Sequence, residues 1–427
     1  MERFSEFKIS SNLVKDLESH GIVNPTVVQE KVIPLVLTGK DVLVQSETGS
    51  GKTIGFAVPT IELIEKTGKV NILVIAPTRE LAKQISEEFE KFSKTKGLRT
   101  ATVYGGVSID KQIFQVRTAD IVVGTPGRIL DLLERRVLNL TYVKYFVMDE
   151  ADRMLDMGFI DDINNIIRHL PKEHHSMMFS ATVNNRIIGL AEKYMKSPEK
   201  IILENVLKPG ILKQCFYNTN DKEKLPLLVS ILKKLENPLV LVFCNTKYKT
   251  RFVADTLRLN GVKAECLNGD MTQFMRENAL KNFAEGKTKV LVATDIAARG
   301  IHVEDITHVI NYDLSDLEEN YIHRIGRTAR NGKKGTAIIL FTERDWVSMD
   351  RVMKKHGADI EELKYDFLDI IRVAKKDSGR RDSGRRNFGR RDSGRRDSGR
   401  RDSRPRFTRR WADNFFFLYY FFIIFFR

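Results

Sequence analysis

Residues 46–53 read SETGSGKT, and residues 145–152 read YFVMDEAD. The first stretch follows the apolar run Val42–Val44, and the second begins with the apolar run Tyr145–Met148. Both runs are typical of buried strands. A glycine-rich turn that opens into a helix points backbone N–H groups at phosphates, while its lysine meets phosphate charge and its threonine hydroxyl reaches Mg²⁺. Two adjacent carboxylates after a second strand can hold that Mg²⁺ and orient an attacking water. Alone, the first stretch could be a surface turn and the second an acidic helix start. Together they predict a site that binds and hydrolyses a nucleoside triphosphate.

Short apolar runs alternate with helical patterns in both halves of the chain. Such runs, spaced by helical segments, predict an α/β fold with parallel sheets covered on both faces. The pattern occurs twice and predicts domains at 1–204 and 211–365, a linker at 205–210 and a tail at 366–427. The predicted strands are Val42–Val44, Ile72–Ile75, Ile121–Val123, Tyr145–Met148, Met177–Phe179, Leu239–Phe243, Lys263–Leu267, Val290–Ala293, Val309–Tyr312 and Thr336–Phe341.

Positive charge is concentrated near the C-terminus. The chain carries a net charge of +15. Residues 375–410 hold 16 Lys/Arg against 5 Asp, a net charge of +11, and the charges of residues 411–427 cancel, which leaves +4 for the first 374 residues. From Asp377 the sequence repeats Asp-Ser-Gly-Arg-Arg, a composition that cannot bury a core. We expect this low-complexity tail to be disordered and to bind RNA non-specifically through phosphates; a merely solubilising tail is the alternative.

Residues 415–426 form an unbroken apolar run that ends the tail. As a helix it would span roughly 18 Å, less than a bilayer core of about 30 Å, so no membrane association is expected. Cys215, Cys244 and Cys266 show no CxxC spacing, and the N-terminus lacks the apolar core of a signal peptide. These features favour a cytoplasmic location.

The second half of the chain carries the stretch HRIGRTAR at residues 323–330. Arg327 and Arg330 are three residues apart and would lie close together on a helix or turn. A solvated basic face explains such spacing in many proteins. An arginine supplied to the γ-phosphate from outside the P-loop can, however, raise turnover by roughly 10³–10⁵, so both residues are catalytic candidates.

These motifs, in order from Phe4 to about residue 345, resemble the DEAD-box RNA helicases. The resemblance implies two RecA-like domains, RNA as partner, and ATP and Mg²⁺ as cofactors. The implied catalytic residues are Lys52, Asp149, Glu150, Arg327 and Arg330, with Mg²⁺ held by Thr53 and Asp149, partly through water. The implied ATP-binding residues are Phe4, Gln29, Ser46, Glu47, Thr48, Gly49, Ser50, Gly51, Lys52, Thr53 and Gly300, where Gln29 would read the adenine edge and Phe4 would help pack the base.

The remaining motifs imply RNA contacts and coupling. The implied RNA-binding residues are Pro77, Thr78, Arg79, Gly105, Gly106, Thr125, Arg128, Gly269 and Thr294. Asp152, Ser180, Thr182 and His323 are the residues implied to couple hydrolysis to unwinding. Contacts to the RNA backbone fix register without reading sequence, so little base specificity is expected.

Three positions depart from the family pattern. His302 stands where an Asp that helps hold the ribose is usual. Ala329 replaces a usual Gly, which matters only if the backbone there needs a positive φ. Ile22 stands where an aromatic residue is common near the adenine, which would weaken stacking on the base.

The sequence therefore predicts an ATP-dependent RNA helicase that unwinds short RNA duplexes or remodels RNA–protein complexes. Two alternatives stay open at this stage: an ATP-gated RNA clamp with little unwinding, and an RNA annealing chaperone that acts through the tail. A monomer or weak dimer is expected, and the sequence does not identify protein partners.

Overall fold

The computed structural model describes residues 3–46, 49–203, 211–298, 303, 305–315, 318–329, 333–356, 360–366 and 368–375. The first 376 residues form one compact unit. Within it lie two parallel seven-stranded sheets, each built from one half of the chain. The predicted linker at 205–210, the repeat tail from Asp377 and the apolar run at 415–426 lie outside the described residues.

The first sheet has the strand order β3-β4-β2-β5-β6-β1-β7. Neighbouring strands are parallel throughout. Because the carboxyl ends of parallel strands meet at one edge, the loops that follow β1, β2, β4 and β5 come together there. The strands are β1 (Val42–Gln45), β2 (Ile72–Ile75), β3 (Thr100–Val103), β4 (Ile121–Gly124), β5 (Tyr145–Met148), β6 (His175–Ser180) and β7 (Glu199–Ile202).

Helices cover both faces of the first sheet. Successive strand residues point to opposite faces, and Val42 and Val44 accordingly enter one core while Leu43 enters the other. A 3-10 turn at Phe4–Glu6 precedes the helices, which are α1 (Ser11–Ser19), α2 (Val27–Leu37), α3 (Lys52–Leu63), α4 (Arg79–Phe92), α5 (Ile109–Val116), α6 (Pro126–Glu134), α7 (Ala151–Asp156), α8 (Ile160–Ile167) and α9 (Asn185–Tyr194).

The second sheet has the strand order β10-β11-β9-β12-β13-β8-β14 and is also parallel. Its strands are β8 (Leu212–Asn218), β9 (Val240–Phe243), β10 (Ala264–Leu267), β11 (Val290–Ala293), β12 (His308–Asn311), β13 (Gly335–Phe341) and β14 (Ile360–Leu363). Around it lie α10 (Lys224–Lys234), α11 (Lys247–Leu259), α12 (Gln273–Ala284), α13 (Asp295–Ala298), α14 (Glu318–Ile325), a 3-10 turn (Glu343–Asp345) and α15 (Trp346–His356).

All ten predicted strands are present, each within two residues of its predicted ends, and four further strands were missed. Three of the missed strands, β3, β7 and β14, lie at sheet edges, and β8 pairs with the edge strand β14. Edge strands are less buried, as the exposed Glu199 and Lys200 of β7 show. They therefore lack the continuous apolar run that identifies a central strand.

Residues 368–375, which the sequence prediction assigns to the tail, contact the second half of the fold. Leu368 and Ile371 pack against its apolar core. The Asp369 amide donates to Ser230 Oγ at 3.0 Å, and the Ala374 amide donates to Thr256 Oγ1 at 3.2 Å. The chain thus follows α10 and α11 as far as residue 375. The domain limits given above remain a proposal.

Candidate nucleotide and RNA sites

The phosphate-binding turn joins β1 to α3. Gly51 adopts φ +88°, a backbone conformation that favours glycine, and a Cβ there would lie 2.4 Å from Gln29 Nε2. Lys52 is the first residue of α3 and is buried, with its Nζ donating to the Ser46 carbonyl oxygen at 3.1 Å. Ser50 Oγ donates to Ser46 Oγ at 3.3 Å. The turn thus gathers a lysine and a helix N-terminus at one point, the combination that binds phosphate.

Gln29 and Thr26 support this turn from α2. Thr26 and Gln29 form a capping box at the start of α2. Thr26 Oγ1 also donates to the Ser50 carbonyl oxygen at 2.8 Å, and Gln29 Nε2 donates to the Gly51 carbonyl oxygen at 3.0 Å. Both side chains therefore hold the phosphate-binding turn. The contact of Gln29 with adenine remains a prediction.

Asp149 and Glu150 follow β5 at the same sheet edge. Asp149 Oδ1 accepts a hydrogen bond from the Glu150 amide at 2.9 Å. Burial raises the pKa of Asp149 from 3.8 to about 6, although the charge of Lys52 acts in the opposite direction. Glu150 has the left-handed backbone angle φ +52° and pairs with the Arg153 guanidinium. Such strain in a non-glycine residue is concentrated at functional sites.

A cavity of 560 Å³ brings these groups together. Its volume suits a small ligand. The predicted site residues on its wall are Gly49, Gly51, Lys52, Thr53, Asp149 and Glu150. The glycine-rich turn within residues 46–53 and the carboxylates within residues 145–152 therefore share one cavity.

The oxygen donors of this cavity fit Mg²⁺. Within the described ranges no group of three or more His, Cys, Asp or Glu side chains could hold a metal by itself. Mg²⁺ in nucleotide sites is bound by one or two carboxylates together with phosphate oxygens and water, so a complete protein cage is not needed. Asp149 is a buried carboxylate whose charge is unfavourable, which a divalent cation would offset, and the Thr53 hydroxyl lines the same cavity.

Asp152 links this cavity to the residues predicted to couple hydrolysis with unwinding. Its Oδ2 accepts hydrogen bonds from the Ala181 amide at 3.1 Å, the Thr182 amide at 2.9 Å and Thr182 Oγ1 at 3.0 Å. Ser180 Oγ donates to the Thr182 carbonyl oxygen at 2.6 Å. His323 Nε2, from the second half, lies 4.0 Å from the same Asp152 oxygen. The structure therefore brings all four predicted coupling residues together.

A second cavity, of 470 Å³, lies between the two halves. Its predicted RNA-binding residues are Pro77, Thr78, Arg79, Gly105, Thr125, Arg128 and Gly269, and Gly127, Gln273 and Arg276 also line it. Arg79 Nη1 donates to Gln273 Oε1 at 3.3 Å, and Arg276 Nη2 lies 2.9 Å from Glu80 Oε1. These contacts join the two halves of the fold beside the cavity.

The predicted RNA-binding residues Arg79 and Arg128 are held in place by neighbouring groups. Arg79 lies against Gly106, where a Cβ would come within 2.2 Å of Arg79 Nη1. Arg128 donates to Gln112 Oε1 at 3.0 Å and to the Val107 carbonyl oxygen at 3.3 Å. Glycine leaves room beside these fixed guanidinium groups, so the phosphates of an RNA backbone can approach them closely.

Several predicted site residues are not placed on either cavity wall. Phe4 is buried in the first core with its ring edge-on to Phe7. Thr294 Oγ1 accepts from the Ala297 amide at 3.4 Å, and Arg327 is buried in the second half. Their contacts with ligands remain predictions. Glu47, Thr48, Gly300, His302 and Arg330 lie outside the described residues.

Sequence reasoning missed Arg324, although it lies inside the motif at 323–330. Its side chain is only 1% exposed, and all five of its N–H donors have acceptors. They bond to Asp295 Oδ1 and Oδ2 at 2.6 Å, to Asn311 Oδ1 and the Asp313 carbonyl oxygen, and to Asn245 Oδ1. The local sequence does not distinguish this buried arginine from its neighbours, because its acceptors are up to 79 residues away.

Comparison with known proteins agrees with this geometry. The DEAD/DEAH box helicase family model matches residues 26–188, and that of the helicase conserved C-terminal domain matches residues 223–332. The ATP-dependent RNA helicase CshA of Listeria monocytogenes is 45% identical over 348 residues, which are 81% of this chain and 67% of that protein. The DEAD-box ATP-dependent RNA helicase CshA of Geobacillus kaustophilus is 40% identical over 373 residues, 86% and 80% of the two chains. The chain belongs to the DEAD-box helicase family.

Solved structures confirm the RecA-like fold of this DEAD-box protein. Dbp5 of Saccharomyces cerevisiae bound to RNA and ADP BeF3 superposes with a TM-score of 0.79 at 29% identity, over 85% of this chain and 96% of that one. Mss116p bound to ssRNA and AMP-PNP gives a TM-score of 0.76 at 27% identity, over 85% and 79% of the chains. A DEAD box protein of Methanococcus jannaschii is 41% identical over 85% and 99% of the chains, with a TM-score of 0.52. The helicase enzyme class predicted from the sequence is thereby confirmed.

Proposed function

We propose that this DEAD-box protein is an ATP-dependent RNA helicase that hydrolyses ATP to unwind short RNA duplexes or to remodel RNA–protein complexes. The observation that carries the proposal is the position of Asp152. Glu150 lines the nucleotide cavity, and Asp152 follows it by two residues. Asp152 accepts hydrogen bonds from Ala181 and Thr182 and lies near His323 of the second half. A change at the nucleotide can thus reach both halves through one side chain.

The nucleotide chemistry follows from the residues of the first cavity. Lys52 and the N-terminus of α3 supply positive charge for the phosphates. Glu150 orients and deprotonates the attacking water, and Arg327 and Arg330 stabilise charge on the transferred phosphoryl group. Mg²⁺, held by Asp149 and Thr53 partly through water, would neutralise phosphate charge when bound.

The second cavity supplies the RNA contacts in this proposal. Arg79, Arg128 and Arg276 provide positive charge, while the glycines at 105, 127 and 269 allow the RNA backbone to approach. Because contacts with the RNA backbone carry no base information, binding in this cavity should depend little on RNA sequence. Contacts with the 2′-hydroxyl groups would separate RNA from DNA.

Strand displacement tests the unwinding activity directly. A fluorescent RNA strand annealed to a partner over a short duplex should be released by the full-length protein with ATP and Mg²⁺, and retained with a non-hydrolysable ATP analogue. ATP-dependent retention of single-stranded RNA with no strand release would instead favour an ATP-gated clamp. Annealing activity that is equal with and without ATP would favour a chaperone.

Location and assembly belong to the same proposal. Among the described residues, no helix has both the length and the apolar character needed to cross a membrane. We propose a cytoplasmic protein that acts as a monomer or weak dimer and whose arginine-rich tail adds non-specific RNA contacts. Sedimentation of the full-length protein with and without RNA would test the oligomeric state.

A further inference from the structure

The nucleotide cavity has an aromatic wall to which none of the predicted ATP contacts belongs. Besides Lys52 and Asp149, its lining includes His20, Ile22 and Phe92. His20 and Phe92 are the aromatic side chains on its described lining. Phe92 is fully buried whereas His20 is exposed. His20 is therefore the aromatic ring that a ligand in the cavity can reach.

The His20 ring is fixed by its neighbours. Nδ1 lies 2.8 Å from the Asp16 carbonyl oxygen and 3.1 Å from Ser19 Oγ. Because a carbonyl oxygen only accepts, Nδ1 carries the proton, and Nε2 is the ring nitrogen that can face a ligand. The ring also meets Phe92 edge-on, with centroids 5.6 Å apart and planes at 71°. A ring held in this way loses little conformational freedom when it contacts a ligand.

The position of this wall suits the base of the nucleotide. The turn at Gly51 and Lys52 binds the phosphates, so the base must lie elsewhere in the same cavity. Bases stack on aromatic side chains, including histidine, and the neighbouring Ile22 offers only an aliphatic surface. We propose that His20 is a base-contacting residue of the nucleotide cavity, supported from behind by Phe92. This inference rests on the proposed ATP-binding function.

Binding with and without the base tests the inference. The probes are ATP and ribose 5-triphosphate, which lacks the base, each competed against a fluorescent ATP analogue on the full-length protein. His20→Ala should weaken ATP binding about fivefold or more, the loss expected for one base stack. It should leave the affinity for ribose 5-triphosphate unchanged, and His20→Phe should restore ATP binding.

His169 provides a matched control. It is exposed, and its Nδ1 lies 2.9 Å from the carbonyl oxygen of Asn165 four residues earlier, as His20 does with Asp16, but it does not line the cavity. His169→Ala should change neither affinity. Equal ATP affinity in His20→Ala and the unaltered protein, or an equal loss for both ligands, would overturn the inference. RNA-stimulated ATPase activity of the unaltered protein separates this failure from failure of the proposed function.

Discussion

At the scale of single residues, the nucleotide cavity contains a carboxylate, Asp149, whose ionised form is disfavoured by burial. Burial raises the pKa of the Asp149 carboxyl to about 6, so the folded protein binds this proton more tightly than the unfolded chain does. The ionised carboxylate therefore destabilises the folded state above pH 6. The penalty shrinks as the pH falls below 6 and is lost below the ordinary pKa of 3.8, where the carboxyl is protonated in both states.

Replacement of this carboxylate should stabilise the protein while removing its activity. Without nucleotide or Mg²⁺ at pH 7.5, Asp149→Asn should raise the free energy of unfolding by up to about 3 kcal/mol, the equivalent of a shift of roughly two pKa units. The gain should shrink between pH 6 and pH 4. Thermal unfolding at several pH values measures it, and Asp161→Asn, an exposed carboxylate, should show little change. A less stable Asp149→Asn variant at pH 7.5 would contradict this account.

Ala329, like Glu150, has a left-handed backbone conformation. Its φ is +58°, in the left-handed region, which residues with a Cβ rarely adopt. The methyl group of Ala329, at a position where the family usually has Gly, is therefore unfavourable. Ala329→Gly should raise the free energy of unfolding by up to about 1 kcal/mol. Ala284→Gly, at the last residue of the helix α12, should lower it, by less than about 1 kcal/mol because the full penalty for glycine applies to a helix interior. Urea unfolding of both variants measures the two effects, and the same sign for both would show that the strain is not significant.

At the scale of elements, Arg324 joins the ends of several strands of the second sheet. Its acceptors lie after β9, on α13, at the end of β12 and in the turn that follows β12. Lysine keeps the charge but has three donors rather than five, and it cannot form the bidentate pair with Asp295. The arrangement of these strand ends in the second sheet therefore depends on the guanidinium group of Arg324.

Arg324→Lys should lower the free energy of unfolding by about 3 kcal/mol, because it leaves buried acceptors without partners. Arg344→Lys is the control: Arg344 pairs with Asp221 at 3.0 Å but is 82% exposed, and its loss should stay within about 0.5 kcal/mol. Chemical denaturation of both variants gives the comparison. Equal losses would mean that the buried bonds of Arg324 contribute little.

Elements that are buried on both faces could be predicted from the sequence. Central strands such as Ile72–Ile75 are apolar at every position, whereas the edge strand Ile360–Leu363 has Glu361 and Glu362 exposed. The site shows the same division. Lys52 and Asp149 occur in local motifs and were predicted, but the partners of Arg324 and the aromatic wall at His20 depend on contacts between distant segments.

At the scale of the whole molecule, the charge is divided between a mildly basic body and a strongly basic tail. Removal of residues 376–427 should leave RNA-stimulated ATP hydrolysis intact, because all motifs lie before residue 331. It should weaken RNA binding at low salt. If four tail arginines neutralise phosphates, the slope of log K against log salt should decrease by about 3, at roughly 0.7 per contact on single-stranded RNA. Titrations of both proteins at several salt concentrations measure this, and parallel slopes would contradict RNA binding by the tail.

The central claim is that the cavity containing Lys52, Asp149 and Glu150 hydrolyses ATP and that the cycle controls RNA binding. RNA-stimulated ATP turnover by Glu150→Gln, measured beside ATP-dependent RNA retention by the same variant, tests it most directly. Turnover should fall by roughly 10²-fold or more, the contribution of a general base, while ATP and RNA remain bound because the amide still fits the site. Turnover within threefold of the unaltered protein, or loss of ATP binding by the variant, would contradict the claim.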